Sequence, residues 1–177
     1  MKVSVTSEIG TLKRLLVHSP DSGLGKVVPS KAQDWLFEDI VHLDTIRKDE
    51  YDYYTKILLY FLDPEKIKGK LGEIDHPENK RSFYKPEHID FYKSDKVIEL
   101  QWLLSELLEN KDIKTKLVSS VCAIEGCTYQ IQNELLNYEP TELAKTLISG
   151  TSQERHLLFA PIPNFIFTRD IGITFKD

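Results

Sequence analysis

The spacing of apolar residues changes period twice along the chain. Residues 2–6 alternate polar and apolar positions, and residues 11–18 set Leu12, Leu15, Leu16 and Val17 around Lys13 and Arg14. Both stretches predict strands, separated by a turn at 7–10. Over residues 44–62 the period becomes helical: Ile46, Tyr53, Ile57, Leu58 and Phe61 recur on one face, Asp44 offers a cap, and Pro64 ends the run. Residues 65–83 are charged and carry Gly69, Gly72 and Pro77, the composition of an exposed connection. Helical spacing returns over 86–110, with Val97, Leu100, Leu103, Leu104, Leu107 and Leu108 as its core stripe, and then over 112–122, 128–136 and 140–148. Pro140 suits a first helical turn and Gly150 a closing left-handed position. The short links between these helices predict antiparallel neighbours. Beyond Gly150, Leu157-Leu158-Phe159 and the next apolar run return to β character. Strands, a helical block, then strands again describe an α/β unit with an all-helical insertion.

One stretch of the final segment stands out for its chemistry. Residues 161–170 read Pro-Ile-Pro-Asn-Phe-Ile-Phe-Thr-Arg-Asp. Each proline fixes its own φ and moves the preceding residue out of the helical region, so an extended run is expected. It predicts a buried strand that delivers the Asp170 carboxylate to an edge where a cation could meet it. An ion pair between Arg169 and Asp170 is the structural alternative, although adjacent strand residues point to opposite faces.

Composition sets the bounds. With 177 residues, 41% hydrophobic and 29% charged, the chain can bury a core as one domain with a sizeable insertion. A net charge of -5 argues against nucleic acid as a partner. No apolar run has the length of a membrane span. Two cysteines, and an N-terminus without an apolar core or cleavage site, predict reduced thiols in a cytoplasm. Cys122 and Cys127 have no neighbouring ligands at metal spacing and read as packing residues, so no metal is expected. His42-Leu43-Asp44 and His88-Ile89-Asp90 fall at helix starts and read as local structure. His18, at a strand end, reads as packing or a surface hydrogen bond.

Three segments, in order, carry a resemblance. Residues 5–18 read Val-Thr-Ser-Glu-Ile-Gly-Thr-Leu-Lys-Arg-Leu-Leu-Val-His, residues 35–39 read Trp-Leu-Phe-Glu-Asp, and residues 163–170 read Pro-Asn-Phe-Ile-Phe-Thr-Arg-Asp. Together they resemble the N-terminal part of arginine deiminase, in the guanidino-group-modifying superfamily that also holds the amidinotransferases. The resemblance implies a pentein-type α/β propeller, ββαβ blades around a pseudo-five-fold axis with the active site at its centre. Residues 1–84 would then be the first part of a blade and its connection, 85–150 the inserted helical domain, and 151–177 the return to the propeller. It further implies that Asp170 grips a substrate guanidinium while Asn164 and Phe167 line the pocket, with Leu36 contributed by the second segment. A carboxylate suits that task, because it accepts two parallel hydrogen bonds from a planar, permanently charged guanidinium.

The implied reaction is hydrolysis of L-arginine to L-citrulline and ammonia through a Cys-linked intermediate, without a cofactor. The substrate would be L-arginine or another guanidino compound, the full-length form a cytoplasmic homo-oligomer. The nucleophilic Cys and the His-x-Asp segment that such enzymes carry downstream are absent from these residues, so this chain reads as an N-terminal portion that is inactive alone. Three departures from the family pattern bear on whether the substrate is free arginine: Ile171 stands where a proline is usual, Ser-Pro-Asp-Ser at 19–22 replaces Arg-Pro-Gly-x-Glu, and Trp35 and Glu38 vary Leu-Leu-Phe-Asp-Asp. The alternatives are an amidinotransferase and a non-catalytic guanidino-binding module.

Overall fold

The computed structural model describes residues 9–31, 33–35 and 42–168. The strand expected at 2–6, Leu36, and the end of the last segment from Arg169 onward, including Asp170, lie outside them. Two short strands form a parallel pair, β1 (Leu15–Val17) and β2 (Val97–Glu99), in the register Leu15 to Val97, Leu16 to Ile98 and Val17 to Glu99. A parallel pair cannot close through a tight turn and needs a long crossover. Here about eighty residues provide it, including a continuous helical stretch: α1 (Leu43–Thr45), a π-helical segment Ile46–Tyr51, and α2 (Asp52–Leu62). The expectation of a mixed α/β chain holds at that level.

Four details depart from the reading of the periodicity. Asp44 does not cap the first helix; His42 precedes it, and Asp44 lies in its first turn, where its charge suits the helix dipole. On α2 the inward face is Asp52, Thr55 and Leu59, while Tyr53, Ile57 and Phe61 are exposed. Residues 65–83 are not a solvent-exposed connection. They fold into short helical turns, among them α3 (Leu71–Ile74), and deliver Ile67, Ile74 and Phe83 to the core. The helix expected from residue 86 begins only at Leu100, because Val97 pairs as part of β2 and the Glu99 side chain caps the helix that starts after it.

The first core forms beneath α2 and β2 from Val17, Leu59, Ile67, Phe83, Phe91, Tyr92 and Val97. Its aromatic rings meet edge-on or tilted, such as Phe83 with Tyr84 at 5.2 Å and 84°, a geometry that sets ring edges against the negative faces. Ser94 ties the strand entry together. Its hydroxyl donates to Asp63 Oδ2 at 2.6 Å and accepts from the backbone N–H groups of Lys96 and Val97.

The second core belongs to α4 (Leu100–Leu108), α5 (Lys111–Glu125), α6 (Tyr129–Asn137) and α7 (Pro140–Ser149). α4 packs on α7 and α5 on α6. Leu108, Val118, Leu135 and Leu143 are sealed from solvent between them. Within the predicted leucine stripe, Leu108 is core while Leu107 faces outward. Local signals place the ends: Asn110 accepts from the N–H groups of Asp112 and Ile113, and Thr128 from that of Ile131. Pro140 sits in the first turn of α7, and Gly150 closes it at φ 66. A β-carbon at Gly150 would stand 2.1 Å from the Phe159 carbonyl oxygen, so both the left-handed conformation and the close approach call for glycine.

The chain then crosses back. Thr151 and Leu157 form one antiparallel bridge, and Leu158 N–H donates to the Gly150 carbonyl. Among the described residues beyond Leu157, no further strand forms.

Candidate functional site

The Pro-Asn-Phe-Ile-Phe-Thr segment is not the strand that its composition predicts. Pro163–Ile166 is a 3-10 turn with the proline in its first position, where no N–H is missed and the fixed φ fits a helical turn. Phe165 N–H donates to the Ile162 carbonyl and Phe167 N–H to that of Asn164. Three anchors hold the turn. Ile162 N–H donates to the Ile148 carbonyl near the end of α7, at 2.9 Å. The Ile162 carbonyl lies so close to Gly23 that a β-carbon there would stand 2.6 Å from it. The Thr168 hydroxyl donates to the Leu16 carbonyl on β1, also at 2.9 Å. The turn is thereby fixed at the end of β1 and against the loop that leaves it.

Of the four residues expected at a guanidinium pocket, the described chain contains two. Asn164 is half-buried in the turn, and Phe167, at its end, is 49% exposed. Asp170 and Leu36 lie outside the described residues.

Behind the turn sits a buried ionisable pair. His18, the residue after β1, is 3% exposed and Glu99, at the end of β2, only 1%. Their Nδ1 and Oε1 atoms are 2.7 Å apart. The same carboxylate accepts from Ser19 N–H at 3.2 Å and from Trp102 N–H at 2.8 Å, which caps α4. The imidazole meets the Phe165 ring edge-on, centroids 6.2 Å apart. His18 Nε2 is buried and has no hydrogen-bond partner among the described residues. Of the two readings of His18, packing holds and the surface hydrogen bond does not, since the ring is buried against Phe165 and its bond is to a buried carboxylate. His18 belongs to a satisfied carboxylate that ties both strands and α4 to the turn. The expectation of a surface role fails because Glu99, 81 residues away, has no local signature. The only hint is an acid between Ile98 and Leu100 in an otherwise apolar run.

A second charged network borders the loop after β1. Arg81 forks Asp52, Nε to Oδ2 at 2.6 Å and Nη2 to Oδ1 at 2.7 Å, and its Nη1 reaches Asp21 Oδ1 at 3.0 Å. Arg47 Nε stands 2.7 Å from the same Asp21 oxygen, an ion pair whose N–H is not aligned for a hydrogen bond, and its Nη2 donates to the Asp21 carbonyl. Burial alone would raise the Asp21 pKa. The Arg81 charge, the Ser19 hydroxyl and Arg47 outweigh it and hold that carboxyl below its usual value. Burial would lower Arg81, but the Asp52 and Asp21 bonds raise it. Neither Asp52 nor Arg81 drew notice in the sequence, since Asp52 falls on a helix face read from its apolar neighbours. Among the described residues no group of three or more His, Cys, Asp or Glu is placed to hold a metal ion, and no helix is long and apolar enough to cross a membrane.

Comparison with known proteins gives this turn its context. No protein-family model matches the chain. Curated relatives do. An arginine deiminase of Listeria monocytogenes serotype 4b (strain CLIP80459) is 24% identical over 189 residues, covering 95% of this chain and 38% of the relative. One of Borreliella afzelii is 27% identical over 180 residues with the same coverage, and one of Bacillus cytotoxicus is 26% identical over 194 residues, covering 97% of this chain and 39% of the relative. The chain thus spans about two fifths of the length of these relatives. At low identity but over nearly all of its own residues, it is similar to the arginine deiminases, consistent with an N-terminal portion of such a protein.

Proposed function

We propose that this chain is the N-terminal portion of an arginine deiminase-like hydrolase, which converts L-arginine and water to L-citrulline and ammonia. One observation carries the reading: similarity to proteins of that name extends over 95% of the chain, far beyond any single motif. The anchored turn supports it. A binding loop must be rigid to select a planar cation, and the Thr168, Ile162 and Gly23 contacts provide that rigidity. In this reading Asp170 accepts two hydrogen bonds from the guanidinium, while Asn164, Phe167 and Leu36 line the pocket around it. Removing the guanidinium from water is costly unless an anion pairs with it, and Asp170 would supply that anion.

The architecture proposed with it is a pentein-type propeller, with residues 1–84 and 151–177 in its blades and 85–150 as the inserted helical domain. The whole protein is proposed to be a cytoplasmic homo-oligomer. The thiolate that attacks the guanidinium carbon, and the His-x-Asp that assists it, would lie further along the polypeptide. This chain alone is expected to form no citrulline.

The test is direct. The reading frame beyond residue 177 is expressed in continuity with this chain and assayed for citrulline and ammonia from L-arginine. Turnover that is lost in Asp170→Ala, through an unchanged fold, is the expected result. A reading frame with neither the His-x-Asp nor a C-terminal Cys would overturn the proposal, as would release of an amidino group to glycine without ammonia.

A further inference from the structure

An open cleft of about 1290 Å3 lies between the loop after β1, the helical stretch 43–62, residues 74–87 and the C-terminal end of α7. Its charge runs against that of the chain. Nine lysines and arginines line it against seven aspartates and glutamates, in a protein of net charge -5. Four of the acids are already engaged: Asp21 and Asp52 by Arg47 and Arg81, Asp75 by Lys56, and Glu87 by Lys145 at 2.8 Å. Lys26, Lys48, Lys80, Lys85 and Arg155 have no carboxylate partner among the described residues, and Lys85 donates only to the Lys80 carbonyl. Three lining acids, Asp44, Asp49 and Glu142, remain to balance five cations.

Two further observations concern residues that line the same cleft. Tyr84, 3% exposed, lines the cleft, and its buried hydroxyl has no hydrogen-bond partner among the described residues. Such a group is unfavourable until something accepts its proton. Four non-glycine residues among those described have positive φ, and three of them line this cleft: Lys80 at 45°, Arg81 at 63° and Arg155 at 67°. Left-handed backbone is unfavourable for residues that carry a β-carbon, and it concentrates at ligand clamps. Here all three such residues are cations.

The geometry points to a binding site for a small organic polyanion, bearing phosphate or several carboxylates, with Lys80, Lys85 and Arg155 supplying the charge and the Tyr84 hydroxyl donating to an anion oxygen. The network of Asp21, Asp52, Arg47 and Arg81 forms its rigid, internally neutral wall, so the ligand meets the outer cations and not the buried pair. The site is distinct from the Asn164–Phe167 turn and does not depend on the arginine reading.

Pyrophosphate and citrate are the probes, titrated into the whole chain by calorimetry and by amide NMR. Saturable binding at about 1 mM or tighter, with shifts at residues 80–85 and 155 and weakening at high salt, is expected. The tighter of the two probes identifies phosphate or carboxylate as the preferred group. Tyr84→Phe, which keeps the ring in the core, should weaken binding about tenfold. Lys80→Gln combined with Arg155→Gln should weaken it at least as much, while Lys66→Gln with Lys70→Gln, which line none of this cleft, should leave it unchanged. Absence of saturable shifts up to about 10 mM, or equal weakening by the control pair, would overturn the proposal.

Discussion

Around β1 and β2 the chain buries His18, Asp52, Asp63 and Glu99 beside a cluster of aromatic rings, whereas α4 to α7 close over Leu108, Val118, Leu135 and Leu143. All the buried carboxylates and the buried imidazole among the described residues fall in the first of these regions. The helical unit is held by non-directional burial, which tolerates repacking provided that volume and pattern are kept. The strand region is held by pairs with fixed partners, where losing one member strands the other away from water. The second kind of construction is less forgiving and more exact in position. It is also where the Pro163–Ile166 turn is anchored. In the proposed reading, a site that selects a guanidinium would gain from standing on the exact half, with the helical half as its support.

The largest expected effect lies in the polar half. Arg81→Met leaves Asp52 buried and Asp21 short of a cation, and should cost about 3–5 kcal/mol in urea unfolding. An effect below about 1 kcal/mol would show that the network behaves as a surface pair and would erase the contrast. Leu143→Ala, in the helical core, should cost about 2–5 kcal/mol through lost burial and a cavity. This cost should vary little with pH, because none of the buried carboxylates among the described residues lies in α4 to α7.

Acid unfolding sharpens the difference. The folded Asp21 pKa is lowered, so its contribution is fully present above the unfolded value of about 4 and disappears as pH falls through the folded one. Asp52 runs the other way, since burial outweighs its fork with Arg81 and raises its pKa, which offsets part of the loss. Leu143→Ala should keep the wild-type dependence of stability on pH below about 4, and Arg81→Met should flatten it. Identical slopes in the two variants would remove the network from the account.

The smallest effect is one of rate alone. Burial, reinforced by the neighbouring Cys127, pushes the Cys122 thiol up to about 11. At about pH 8, close to the pKa of an ordinary thiol, iodoacetamide should label Cys127 well before Cys122, as read by mass spectrometry of the peptides. Equal labelling would mean that the helical core opens far more readily than its packing suggests.

Much of the helical half was legible in the residues themselves. The predicted runs 112–122, 128–136 and 140–148 correspond to α5, α6 and α7, because helical period, Asn110 and Thr128 caps, Pro140 and Gly150 are all local signals. The motif at 163–170 was equally visible as chemistry, and with residues 5–18 it pointed to the family of the relatives. Its conformation was not visible. Two prolines and β-branched neighbours suggest extension, yet contacts to Ile148, Gly23 and Leu16 select a 3-10 turn. The same limit applies to Val97–Glu99, a helix-like apolar stretch that becomes a strand because β1 offers it a partner.

The sequence by itself thus determined where helices begin and end and which family the chain resembles, since both depend on residues close together along the chain. Only the tertiary structure decided that His18 meets Glu99, that Arg81 meets Asp52 and Asp21, and that five cations without carboxylate partners among the described residues share one cleft. The residues of those pairs stand 29 to 81 positions apart. An ion pair leaves no periodic trace, because either member alone looks like an ordinary surface charge until packing removes the water around it.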